Sequence, residues 1–175
     1  MPVNPETAAR AIRLLLLDVD GVLTDGRLYY SNNGEELKAF HIQDGLGIKL
    51  LQRQGIEVGI ITGRTSALLA RRAAELGIQR VIQGREDKSC ALDELLANTP
   101  LTLEQIAFMG DDLPDLPVMA RVGLALTVAD CSSTVAERAH WQARRGGGRG
   151  AVREAAEFIL RAQGKLDAAL EDYRG

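Results

Sequence analysis

Cysteine is scarce in this chain of 175 residues, and the two present, Cys90 and Cys131, stand alone. Without a CxxC pair, no disulfide framework and no cysteine-based zinc site is expected, and both read as small buried or half-buried side chains. No stretch comes near the ~20 consecutive apolar residues that a membrane-spanning helix needs. The opening MPVNPETAARAIR has no apolar core, so it reads as a leader of one or two helical turns over residues 1–12, not as a secretory signal. The cytoplasm is the expected location. Positive charge is not in excess: the net charge is -3, which sets nucleic acid aside as the main partner, since binding it needs a basic face. GREDKS, residues 84–89, lacks the glycine before lysine that a P-loop requires, which excludes nucleoside triphosphate binding there. Internal repeats and linkers are missing too. At 46% hydrophobic and 26% charged, residues 1–175 suit one globular domain with a single core.

What is present is organised around LLLLDVDGVLTDG, residues 14–26. An apolar run bounded by a turn signal suits a strand buried on both faces, here over 13–19. Period-two alternation places Asp18 and Asp20 on one side of its C-terminal end. Two like charges so placed repel unless a cation or a shared proton joins them. Further on, Asn33-Gly34 between Leu28, Tyr29, Tyr30 and Leu37, Phe40, Ile42 predicts a β-hairpin over about 26–42. Helices are expected at about 44–54, 65–76, 87–97, 114–121, 132–138 and 151–163, and strands at 56–62, 80–83, 105–110 and 122–126. This alternation predicts an α/β fold: a Rossmann-like, doubly wound, mostly parallel sheet with helices on both faces. The hairpin is too short to be a cap domain. It carries more apolar surface than a solvated two-stranded ribbon should hold alone, which points to oligomerisation through it.

In such a sheet the strand ends share one edge, so distant residues converge there. They supply Asp18 and Asp20, then Thr62, Gly63 and Arg64, then Lys88, and finally Asp111, Asp112 and Asp115. Oxygen ligands without histidine or cysteine suit a hard cation such as Mg²⁺. Thr62 and the amides near Gly63 suit an anion at a helix start, and Lys88 adds a point charge. The inventory points to phosphoryl transfer through an aspartate, with a second carboxylate giving and taking the proton. Each flanking residue also has a plainer reading. Asp112 and Asp115 suit a solvated helix start as well as a place behind the metal. Asp44 either caps its own helix or borders the site, and His41 reads as a surface or interface residue.

Together DVDGVLT, the TGR turn, Lys88 and GDD resemble the haloacid-dehalogenase-like phosphatase superfamily. That resemblance implies Asp18 as nucleophile, Asp20 as acid/base, and Thr62 and Lys88 as phosphate ligands. It also implies Mg²⁺ on Asp18, the Asp20 backbone carbonyl and Asp111. FHIQDGLGIKLL, GDDLPDLPVM and GGGRGAVREAAEFIL narrow it to a branch without a cap, which acts on the eight-carbon sugar acid phosphate used for lipopolysaccharide. A nine-carbon 9-phosphate is the alternative substrate, and a non-catalytic oligomerisation module is the alternative role. The branch implies a homotetramer built through the hairpin, with a neighbouring subunit over each site. It raises the basic loop 144–150, and the tail to 175, from a flexible segment toward a substrate lid, in cis or in trans. Gln43 stands where several relatives have arginine, which leaves open the polar contacts at that turn.

Overall fold

The computed structural model describes residues 4–34 and 36–174; Met1 to Val3 of the leader, Glu35 in the hairpin and Gly175 lie outside it. The leucine run forms β1 (Leu14–Leu17), every residue of it fully buried. Around it lie β4 (Glu57–Ile61), β5 (Arg80–Ile82), β6 (Ile106–Gly110), β7 (Leu124–Thr127) and β8 (Trp141–Gln142). The order is β5-β4-β1-β6-β7-β8, and every pairing is parallel. From β1 the chain first builds outward on one side, then returns to build β6, β7 and β8 on the other. That reversal beside β1 opens the crevice where sheets of this type bind ligands.

Alternation along β1 shows why the sheet is covered twice. Leu15 and Leu17 face a core completed by α1 (Pro5–Ala11), α2 (Ile42–Arg53), α3 (Ala67–Leu76), α7 (Ala151–Ala162) and α8 (Leu166–Leu170). Leu14 and Leu16 face a second core under α4 (Lys88–Ala97), α5 (Leu116–Met119) and α6 (Ser133–Ala136). At about 1.5–3 kcal/mol for each fully buried aliphatic side chain, its four leucines anchor β1 firmly between the two cores. The strand stops at Leu17, earlier than the sequence suggests, because Asp18 onward turns.

The hairpin exists, but its paired segments β2 (Tyr29–Tyr30) and β3 (Glu36–Leu37) are only two residues each. Residues 31–34 follow β2 in a turn, and Gly34 N donates to Ser31 O. Short elements with weak periodicity, β8 and α8, are additions to the expected set. Trp141 stacks on Phe158 with ring centroids 4.9 Å apart.

Asp44 overturns both readings of it. It is 1% exposed and caps a distant helix: its carboxylate accepts from Gly150 N at 3.2 Å and Arg153 N at 2.9 Å. Gly150 has no side chain of its own to cap α7, so α2 supplies one. Its own helix is capped by His41, whose Nδ1 accepts from Gln43 N. Gln43 Oε1 accepts from Arg145 Nη1 at 2.7 Å, which settles the contact at that turn.

The lid expectation for 144–150 also fails within this chain. Gly148 N donates to Val22 O, Gly147 N to Asp130 Oδ1, and Arg144 N and Arg145 N to Glu154. A Cβ on Gly147 would lie 1.8 Å from Gly21 O. The loop is a strut pressed against the turn that carries Asp20. The tail continues along α7 to the other edge of the sheet, where Lys165 donates to Gln54 O and Tyr173 accepts from Arg53. It therefore ends away from its own cleft. No helix among the described residues is long and apolar enough to cross a membrane.

Candidate active site

At the C-terminal ends of β1, β4 and β6 lies a cleft of about 530 Å³, lined by Asp18, Asp20, Thr62, Lys88, Asp111 and Asp115 among others. A larger surface depression of about 720 Å³ sits at the opposite ends of β4 and β5 near Gly55 and Arg80, remote from this chemistry. The candidate catalytic, phosphate-binding and metal-binding residues all reach the cleft, Gly63, Arg64 and Asp112 included, whereas Asp44 and the loop 144–150 do not line it.

At the floor of the cleft lies Lys88, buried there with Asp115 and Thr62; it is the first residue of α4, whose start is capped by Asp87. Its ammonium lies 2.9 Å from Asp18 Oδ1 and 2.5 Å from Asp115 Oδ1, with all three side chains at most 10% exposed. Burial works to lower the pKa of this lysine, but the charges of Asp18 and Asp115 and their hydrogen bonds raise it overall. Asp115 is fully engaged. Its second oxygen accepts from Asp111 N at 2.9 Å and Asp112 N at 3.3 Å. It thereby holds the acidic turn after β6 and the lysine together.

Asp18, Asp111 and Asp115 each offer a carboxylate oxygen within 4.8 Å of the others. Burial first, and the neighbouring Asp115 second, push Asp18 up to about 6 in the metal-free protein. Burial and then Asp18 push Asp111 up to about 7. Asp111 Oδ1 is buried and has no hydrogen-bond partner. An orphaned carboxylate oxygen among like charges fits a hard divalent cation, so the donor set suits Mg²⁺. Asp18 and Asp111 have oxygens to give it, while both oxygens of Asp115 are occupied. Asp112 is exposed and turns its Oδ1 to cap Leu113 N at 2.8 Å; toward Asp111 it contributes charge alone.

Asp20 follows Asp18 by two residues but enters from a turn, not from the strand. Thr24 ties that turn down, its Oγ1 accepting from Gly21 N and Gly26 N. Gly21 has φ +95°, and a Cβ there would fall 2.1 Å from Asp111 Oδ2. Only glycine passes so close to the acidic cluster. Asp20 Oδ1 lies 2.5 Å from Lys38 Nζ, and its Oδ2 lies 3.7 Å from Arg64 Nε. Arg64 also donates to Tyr30 OH at 2.9 Å. Lys38 was missed by sequence reasoning. The signal was the alternation Glu36-Leu37-Lys38, which turns Leu37 outward and the two charged residues inward.

The hairpin thus has two faces. Tyr30 lies opposite Glu36 and reaches the cleft through Arg64, while Tyr29 lies opposite Leu37; all of Tyr29, Tyr30 and Leu37 are exposed. With Leu28 and the N-terminal residue of α2, Ile42, they leave an apolar surface beside the site.

No protein-family model matches the chain. Individual proteins do. The chain is 51% identical over 170 residues to the 3-deoxy-D-manno-octulosonate 8-phosphate phosphatase KdsC of Escherichia coli K12, covering 96% of this chain and 90% of that one. The crystal structure of that phosphatase from Yersinia pestis aligns with a TM-score of 0.92 at 51% identity, covering 94% of this chain and 89% of the other. The Moraxella catarrhalis enzyme, in complex with magnesium ion, phosphate ion and a KDO molecule, aligns with a TM-score of 0.94 at 42% identity over 97% of each chain.

Proposed function

Since the chain belongs to the 3-deoxy-D-manno-octulosonate 8-phosphate phosphatase family, within the haloacid-dehalogenase-like phosphatases, we propose that its cleft hydrolyses that phosphomonoester through an aspartyl phosphate. It is a Mg²⁺-dependent phosphoric monoester hydrolase. The observation that carries the division of roles is Lys88 bridging Asp18 and Asp115 beside the partnerless Asp111 Oδ1.

Asp18 attacks phosphorus, forming an acyl phosphate and splitting the hydrolysis into two easier steps. Lys88, Thr62 and the turn at Gly63 receive the phosphoryl oxygens, and Arg64 stands at the rim. Asp18, the Asp20 backbone carbonyl and Asp111 would hold Mg²⁺. When bound, the cation offsets the repulsion between the attacking carboxylate and the phosphate. Asp115 holds Lys88 and the Asp111 backbone in place. Asp20 protonates the departing sugar alkoxide and then takes a proton from the water that attacks the acyl phosphate. The free sugar acid is a building block for lipopolysaccharide, made in the cytoplasm. The outward face of the hairpin, Tyr29 and Leu37, is the contact of a homotetramer in which a neighbouring subunit covers each open cleft.

Phosphate release with Mg²⁺ tests this on the eight-carbon 8-phosphate, a nine-carbon 9-phosphate and hexose phosphates. A kcat/KM preference of about a hundredfold for the first, ~2.7 kcal/mol of discrimination, is expected. Equal rates on all three would discard the substrate and keep the chemistry. Sedimentation of L37E tests assembly: the wild type should run as a tetramer and the variant as smaller species, and a wild-type monomer would sink that reading.

A further inference from the structure

The hairpin offers more than an assembly surface, because one of its side chains grips the residue read above as the acid/base. Lys38 sits on a ribbon of two paired residues per strand, yet its side chain is only 3% exposed. Burying an ammonium is costly unless it is paired and hydrogen-bonded. Its partners are Asp20 Oδ1 at 2.5 Å and Glu36 Oε1 at 3.4 Å. A charge-assisted contact of this length is directional as well as attractive. With Arg64 on the other oxygen, held in turn by Tyr30 from the same ribbon, both oxygens of Asp20 are held by groups that depend on the hairpin.

Asp20 leaves the chain on a turn, where its side chain has more freedom than one at a strand end. Its task needs a fixed position, since a proton donor must stay within hydrogen-bond reach of the bridging oxygen. We propose that Lys38 is a positioning residue of the reaction, fixing the Asp20 carboxylate toward the leaving-group side of the cleft. The hairpin is then part of the catalytic apparatus of its own subunit. This rests on the reading of Asp20 as acid/base, and the two must be separated by experiment.

The test is single-turnover hydrolysis of the eight-carbon substrate at saturating Mg²⁺, with K38M, K38R, D20N and the double variant K38M/D20N. K38M should lower kcat by about tenfold or more with KM within about twofold, a loss of ~1.4 kcal/mol in transition-state stabilisation. K38R, which keeps charge and donors, should recover to within about threefold of wild type. In the D20N background the same K38M change should cost less than about twofold, because its target is gone. An equal loss in both backgrounds would overturn the proposal in favour of a purely structural lysine. A loss confined to KM would overturn it in favour of a substrate contact. K38M at wild-type rate, with D20N slow, removes Lys38 alone. D20N at wild-type rate removes the acid/base reading and the proposal with it.

Discussion

Asp18 and Asp20 are two residues apart in the chain and are supported by different parts of the molecule. Asp18 follows a fully buried strand, donates its backbone N–H to Met109 O and contacts a lysine that is itself 5% exposed. Asp111 directly follows the adjacent strand β6, and Asp115, in the helical turn after it, is tied back to the Asp111 and Asp112 N–H groups, so the cluster hangs on the sheet edge. Asp20 is 20% exposed and depends on Lys38, Arg64 and Tyr30, two of them from a ribbon too small to be stable by itself. The difference assigns two demands to two supports. Phosphoryl transfer needs concentrated charge in fixed places, and the sheet edge supplies it. Leaving-group protonation has to suit a particular alcohol, and on the proposed reading that falls to Asp20 and the hairpin that grips it.

The sharpest way to break the comparison is on the sheet side. Asp18→Asn should lower turnover by about 10⁴-fold or more, ~5.5 kcal/mol, on sugar and aryl phosphates alike. The attacking oxygen is lost whichever alcohol leaves. The metal-free variant should melt no lower than wild type, because one charge has been removed from a repelling trio. Initial rates and a melting curve check both statements, and surviving turnover would remove Asp18 as nucleophile.

This half of the site was legible in the sequence because its residues sit at the ends of apolar runs, where strand and edge can be counted. The sheet, its two covered faces and the convergence of Asp18, Thr62, Lys88 and Asp111 follow from that counting. Lys38 was only half legible: alternation turns it inward, but placing it against Asp20 needs the register of a ribbon and the path of a turn. Asp44 was read as a local cap or as a border of the site, whereas its partners are 106 and 109 residues away in another helix. The glycines at 146–148 read as flexibility when seen alone. Packed against Gly21 and Val22 they serve close approach instead, and that is visible only once both loops are folded.

Asp44 sharpens the comparison, since it governs the strut behind the Asp20 turn rather than either carboxylate. Asp44→Ala leaves the N–H groups of Gly150 and Arg153 without their acceptor, at a cost of about 1–3 kcal/mol. In a domain of this size that lowers Tm by roughly 5 °C. Asp44→Asn keeps one acceptor oxygen and sheds a buried charge, so it should lose less than half as much. Thermal melts compare the two. If Asp44→Ala melts like wild type, the carboxylate does not hold α7.

The smallest effect separates the two supports by pH. Asp18, at about 6, and Asp111, at about 7, both lie above their usual 3.8 in the metal-free protein. The folded state therefore binds more protons than the unfolded state between those limits, and stability falls as pH rises through them. The contribution is fully present below about pH 4 and gone above about pH 7. His140, whose pKa is lowered by burial, pulls the other way, but it is far from the acidic cluster and does not respond to a cation there. Mg²⁺ binds the ionised cluster, so protons compete with it. The Tm gain from added Mg²⁺ should thus grow from near zero at about pH 5 to a few degrees at about pH 7.5. Melts with Mg²⁺ and with chelator across that range measure it. The gain should persist in K38M, because Lys38 grips only the hairpin side. A gain independent of pH would show that these carboxylates are not where the cation binds.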